Sequence, residues 1–231
     1  ERIPLEQVKL RPVQLIRKEF LLTEEALSAR AYITAHGLYC LHINGKRVGD
    51  EQLTPGSTAY GRYLEYQTYD ITELLHKGEN ALAVWLADGW YVGKHGMIGR
   101  SCAFGDTTGV LFQLEIQSRD GRRETVISDE SCRCAPSEIE YADIFVGQKT
   151  DGRKIQYGVD RPYFNDSAWR RVHRINCSKD NLRAAYAEPV RIVQQRSPLK
   201  LYQSIKQEWI LDVGQVLAGR IRMRVRGARG T

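Results

Sequence analysis

The chain reads as an all-β protein built as a sandwich, on three observations. No segment carries a helical hydrophobic period through three or more turns. Short segments instead alternate apolar and polar residues at period two, and turn signals separate them at short spacing. At 231 residues there is room for one large β domain, or for one domain and part of a second, with a sizeable core either way.

Within LIRKEFLLTEEALSARAYITA, Ala29, Ala31, Ile33 and Ala35 alternate with Ser28, Arg30, Tyr32 and Thr34, the pattern of a half-buried strand. Tyr39, Leu41 and Ile43 then fall on one side and Cys40 and His42 on the other. This second strand ends at Asn44-Gly45, a pair that tolerates the positive φ of a type I′ turn and is the strongest hairpin signal in the chain. The return strand is Lys46 to Val48. Pro55-Gly56 turns the next segment, which carries four tyrosines from Tyr60 to Tyr69 and alternates at Leu64, Tyr66 and Thr68. Asp70-Ile71-Thr72-Glu73 has the spacing of a capping box for one short helical turn, stopped by Lys77-Gly78-Glu79-Asn80.

Ala81 to Gly96, ALAVWLADGWYVGKHG, is the stretch around which the rest is organised. Leu82, Val84 and Leu86 share one face and Ala81, Ala83 and Trp85 the other, so neither face is wet and the strand is central. Asp88-Gly89 breaks it, and Trp90-Tyr91 follow where the chain should surface. After a loop to about Gly109, Val110 to Ile116 forms a strand with Phe112, Leu114 and Ile116 inward, joined through Asp120-Gly121 to a partner at Arg123 to Ile127. Residues 138–172 are the least regular stretch, with Trp169 at its end as a core plug. Strand signals return at Val190 to Val193, Leu199 to Leu201, Trp209 to Val213 and Arg220 to Arg226. In the last, Ile221, Met223 and Val225 alternate with four arginines, one face buried and one wet. A domain boundary is expected near Arg183 to Pro189.

Composition narrows the function classes. No apolar run approaches the roughly 20 residues of a membrane span, and the N-terminus lacks the basic-then-apolar pattern of a signal peptide. The first residue is not Met, so the chain reads as part of something longer. Five scattered cysteines without CxxC pairs argue against a disulfide framework and a zinc site, and predict a reducing, cytoplasmic setting. The net charge of +6 is concentrated: residues 181 to 231 hold ten Lys/Arg and three Asp/Glu, leaving 24 basic and 25 acidic residues elsewhere. Neither stacking aromatics nor a recognition helix accompanies that charge, so neither a nucleic acid nor a membrane is an expected partner. The arginines at 220 to 226 read as a solvated sheet face, or a contact with further domains, in preference to a phosphate site.

The run ARAYITAHGLYCLHINGKRVGDEQLTPGSTAYGRYLEYQTYDITELLHKGENALAVWLADGWYVG resembles the N-terminal β-sandwich region of bacterial α-L-rhamnosidases. ADIFVGQKTDGR, FNDSAWRRV and LDVGQVLAGRIRMRVRGARGT continue the resemblance in order, from about Pro12 onward. It implies a jelly-roll-like, galactose-binding-like sandwich, then a second β domain, then an (α/α) barrel that holds the catalytic acids. The expected layout is a leader at 1–14, a carbohydrate-binding-like β-sandwich at 15–185 and the incomplete start of a second β-sandwich domain at 186–231. The implied role is a non-catalytic accessory region of a glycoside hydrolase acting on terminal α-L-rhamnosides, packed on its helical barrel. The alternative is a stand-alone lectin-like module.

Glycoside hydrolysis needs two carboxylates roughly 5 to 10 Å apart. Asp143, Asp151, Asp160 and Asp166 lie in the irregular segment, where acids commonly form turns, and no catalytic residue is assigned. His36, His42, His76, His95 and Ser57 sit in no nucleophile motif. Sugar binding asks for an aromatic face and a few rigid polar groups, which Trp90 and Tyr91, and Asp151 with Arg153, would supply. In the competing reading Trp90 packs under its own turn and Asp151 pairs with Arg153. Related rhamnose-binding sandwiches hold a calcium ion through an acid and a neighbouring amide in the segment matching GQKTDGR. Here the acid is Asp151, but Gly152 supplies no amide, so no cofactor is required and calcium rests on Asp151 alone. Cys132 and Cys134 would share one strand face, without the two further ligands a soft metal needs.

Overall fold

The computed structural model describes residues 9–96 and 99–228 and divides into two compact units, Glu1–Arg191 and Ile192–Thr231. In chain order the first unit contains β1 (Gln14–Leu22), β2 (Ala26–His36), β3 (Leu38–Ile43), β4 (Lys46–Arg47), β5 (Leu64–Asp70), β6 (Gly78–Ala87), a short helix α1 (Gly89–Val92), β7 (Gly109–Ser118), β8 (Arg123–Ile127), β9 (Arg133–Pro136), β10 (Ile139–Asp143), β11 (Gly147–Thr150), β12 (Arg170–Arg171) and β13 (Leu182–Ala184). One sheet has the order β12-β9-β1-β6-β3-β4 and the other β13-β5-β2-β7-β8, while β10 and β11 form a separate hairpin. The strands pair antiparallel except β13, which joins β5 in parallel. The predicted all-β sandwich is the architecture observed. No helix among the described residues is long and apolar enough to cross a membrane.

β6 lies between β1 and β3, with Val84 opposite Ile16 on one side and Leu41 on the other. These inward side chains meet Ala31 and Ile33 of β2 and Phe112, Leu114 and Ile116 of β7 in one apolar core. The hairpin at Asn44-Gly45 forms as its residues require, with φ of 51° and 82°. The expected capping box becomes a single 3-10 turn at Thr72–Leu74, in which Asp70 Oδ1 accepts from the Thr72 amide at 2.9 Å and from its hydroxyl at 2.7 Å. β5 turns a polar pair inward. Gln67 is buried, its Oε1 accepting from the Tyr39 hydroxyl at 2.8 Å and its Nε2 donating to the Pro55 carbonyl at 3.3 Å.

The other face of β6 is dry because the irregular segment lies over it. Across that face Arg17, Ala83 and His42 stand in one register row. Arg17 is 2% exposed and donates from Nε to the Val159 carbonyl (2.8 Å), from Nη1 to Asp166 Oδ2 (2.6 Å), and from Nη2 to the Arg161 carbonyl (2.8 Å) and to Glu19. His42 Nδ1 lies 2.8 Å from Asp160 Oδ2, and the Gly45 amide donates to the Asp160 carbonyl at 2.9 Å. Val159 is 3% exposed at the centre of this layer. A buried cation, rather than an apolar cluster, is what fastens residues 159–166 to the sheet.

Two expectations are corrected, and one strand was not anticipated. Trp169 is no core plug: it is partly exposed and packs edge-on against Phe164, with ring centroids 5.8 Å apart, because the Arg17 clamp already closes that face. The alternation reading passes over β1, whose Arg17, Lys18 and Glu19 interrupt the hydrophobic pattern. In the second unit, among the described residues, β14 (Lys200–Gln203) pairs with β15 (Trp209–Asp212); the stretch at Arg220 to Arg226 carries no strand, and neither does Val190 to Val193, which straddles the division between the units. Ile221, Met223 and Val225 are 80%, 68% and 78% exposed, so neither face of that stretch is buried.

Candidate functional site

α1 begins where β6 ends. Gly89 has φ of +56°, and a Cβ there would stand 2.7 Å from Leu38 Cγ and 3.0 Å from the Gly37 carbonyl carbon, so this tight exit from the core strand needs glycine. Val92 is buried by the turn, leaving Trp90 and Tyr91 half-buried at the end of the sandwich. The Tyr91 ring is held on several sides. His36 stacks on it at 4.1 Å with an interplanar angle of 9°, and Tyr60 meets it edge-on at 5.1 Å. A Cβ on Gly105 would come within 2.4 Å of Tyr91 Cε1. Phe104 and His95 extend the chain of rings, at 5.0 Å from Tyr60 and 5.1 Å from Phe104. Burial lowers the His36 pKa from its ordinary 6.5, so this ring is neutral at pH 7, and burial pushes Tyr60 up to about 12.

The acids in this region are committed to holding segments. Asp143 Oδ2 accepts from the Lys94 amide at 2.7 Å, and its Oδ1 accepts from the Phe145 and Val146 amides at 2.8 and 3.0 Å, tying the exit of α1 to the β10–β11 turn. Asp88 accepts from Arg11 Nη2 at 3.1 Å, and burial still lifts its pKa above the usual carboxylate value. Asp160 faces His42, and Asp166 is shared by Arg17 and Arg133.

Asp151 and Arg153 sit after β11, and their side chains meet. Arg153 Nε donates to Asp151 Oδ1 at 2.8 Å and Nη2 to Oδ2 at 2.7 Å, with the Arg153 amide adding a third bond at 3.1 Å. That fork holds the Asp151 carboxyl well below its usual range. Among the described residues, no ring contact, hydrogen bond or ion pair joins Trp90 or Tyr91 to Asp151 or Arg153. Calcium prefers six to eight oxygens. Here both Asp151 oxygens accept from Arg153, and Gly152 has no side-chain oxygen. Among the described residues no group of three or more His, Cys, Asp or Glu is placed to hold a metal.

Sequence reasoning missed a cleft of about 610 Å³ beside His36. Residues 170–182 cross from β12, at the edge of one sheet, to β13, at the edge of the other, and wall the cleft. Ile16, Ala35, Leu86, Val110 and Cys132 form its apolar floor. The strap is pinned by the Val172 amide donating to the Cys132 carbonyl at 3.2 Å, and by Ile175 Cδ1 standing 2.8 Å from where a Gly109 Cβ would be. The available signal was the basic run RRVHR after Trp169, an unusual choice for a segment that spans an apolar opening.

The α-L-rhamnosidase N-terminal domain family matches residues 24–194. The chain belongs to that family. An α-L-rhamnosidase of Streptomyces avermitilis is 40% identical over 218 residues, which is 94% of this chain and 21% of that protein. The crystal structure of native α-L-rhamnosidase from Aspergillus terreus superposes with a TM-score of 0.86 at 36% identity, over 90% of this chain and 24% of that one. That of Streptomyces avermitilis α-L-rhamnosidase complexed with L-rhamnose superposes with a TM-score of 0.81 at 38% identity, over 89% and 20%. This rhamnosidase N-terminal domain therefore spans about a fifth of the length of the relatives it matches.

Proposed function

We propose that the chain is the non-catalytic N-terminal region of an α-L-rhamnosidase, that it packs on a helical catalytic barrel elsewhere in the same polypeptide, and that it binds carbohydrate without calcium. The observation that carries this reading is the commitment of the acids. Asp143, Asp151, Asp160 and Asp166 each bind backbone amides, an arginine or a histidine, and none is left to act as acid or base across a sugar. The family match supports the parent activity, and the cleft with its adjoining ring cluster supports carbohydrate binding.

Two measurements test it. The chain alone should not turn over an aryl α-L-rhamnoside; turnover abolished by Asp143→Ala or Asp151→Ala would refute the non-catalytic reading. Titration calorimetry with L-rhamnose should show saturable binding that neither calcium nor a chelator alters and that His36→Ala, at the edge of the cleft, weakens. Absence of heat would leave only the packing role, and calcium-dependent heat lost in Asp151→Ala would restore the metal site.

A further inference from the structure

The cleft under the 170–182 strap has two unlike halves. Its floor is small and aliphatic, and the His36 ring, backed by Tyr91, stands beside it. Its rim is basic: Arg170, Arg171, Arg174 and Lys179 all line it. No ion pair among the described residues engages these four, and Arg171 spends one Nη1 hydrogen bond on the Glu130 backbone carbonyl at 3.3 Å. Of the rim acids, Asp129 is already paired with Lys18 at 2.8 Å, which leaves the Glu130 carboxylate against four cations.

An aliphatic floor suits the methyl group and apolar face of a 6-deoxy sugar, whereas unpaired guanidinium groups favour a carboxylate, which they can hold with two parallel hydrogen bonds. The volume lies within the range of small-ligand sites. Resting on the carbohydrate-binding reading above, we infer that this cleft binds an acidic rhamnoside, with the rhamnosyl ring on the floor beside His36 and the carboxylate of an adjoining uronic acid held at the rim by Arg170 and Arg174. Specificity then lies in the charge of the neighbouring sugar, and the rhamnosyl ring alone binds weakly.

The test is calorimetry on the 231-residue chain with three ligands: a disaccharide of L-rhamnose and a hexuronic acid, its carboxyl-reduced counterpart, and methyl α-L-rhamnoside. The acidic disaccharide is expected to bind about tenfold tighter than the reduced one. That advantage should vanish in Arg170→Gln/Arg174→Gln and shrink in high salt. Both arginines are exposed, so the variant should keep its unfolding midpoint; Lys179→Gln is the second variant if it does not. The acidic ligand should also slow alkylation of Cys177, which is exposed and lines the cleft. Equal affinity for the acidic and neutral sugars would overturn the inference and leave carbohydrate binding standing. A charge preference that survives in the double variant would overturn it too, and no heat with any ligand would sink both readings.

Discussion

Arg17→Met removes the cation that holds residues 159–166 on the sheet and keeps most of the aliphatic stem. Four acceptors lose the Arg17 donor: the Val159 and Arg161 carbonyls, Asp166 and Glu19, of which Glu19 keeps the Tyr163 amide at 2.8 Å. Breaking a buried ion pair from one side costs about 3–5 kcal/mol. Relief comes from Arg133, which stays 3.4 Å from Asp166, and from water, since the Asp166 and Glu19 side chains are 22% and 32% exposed. The Val159 carbonyl has no such relief, because its residue is 3% exposed, and an orphaned buried acceptor costs about 1–3 kcal/mol. The sum sits at the low end of the ion-pair range, about 3 kcal/mol, or a fall in Tm of about 6–12 °C for a unit of this size. Thermal and urea unfolding followed by circular dichroism measure it. Hydrogen exchange should locate the loss, with amides of residues 157–169 losing protection before those of β6. A penalty below about 1 kcal/mol, or one spread evenly over the sandwich, would refute the clamp, because a surface ion pair is worth no more than that.

Gly45→Ala should cost about 1–2 kcal/mol in urea unfolding, since φ is +82° and the new Cβ would stand 2.8 Å from Arg161 Nε. Gly121→Ala is the control, at φ of +88° with nothing within 4 Å of its Cβ; equal penalties would rule out the close approach of Arg161 as a cause. A pH series of Tm values tests the His36 stack. Its folded pKa lies below the ordinary 6.5 because burial disfavours the charged ring, so the unfolded chain takes up the proton first. The contribution of His36 is therefore complete above 6.5 and is lost as pH falls from there towards the folded value. His36→Phe, which retains a ring against Tyr91, should flatten that part of the curve, and an unchanged slope would show that another group sets it.

What the sequence made legible is what repeats locally. The hairpin at Asn44-Gly45, the inward set Phe112, Leu114 and Ile116, and the doubly buried β6 all follow from period two and turn chemistry, and all are present. The reason β6 is dry on its second face was not legible. It lies in Arg17 reaching Asp166, 149 residues away, and no hydropathy pattern reports a buried guanidinium whose partners are that distant. The same limit hid the buried Gln67 and the cleft, which depends on a strap joining β12 to β13 across sheet edges that sequence order does not place together. For the site residues, spacing found the Asp151–Arg153 pair but could not say whether the fork faced a ligand or itself. With Arg153 bonded to both oxygens of Asp151, the structure favours the second arrangement. The basic run beside Trp169 carries the opposite lesson. Arginine can lie over an apolar opening when its stem covers the surface and its head stays in water, and such a head without a partner carboxylate is one that a ligand can engage.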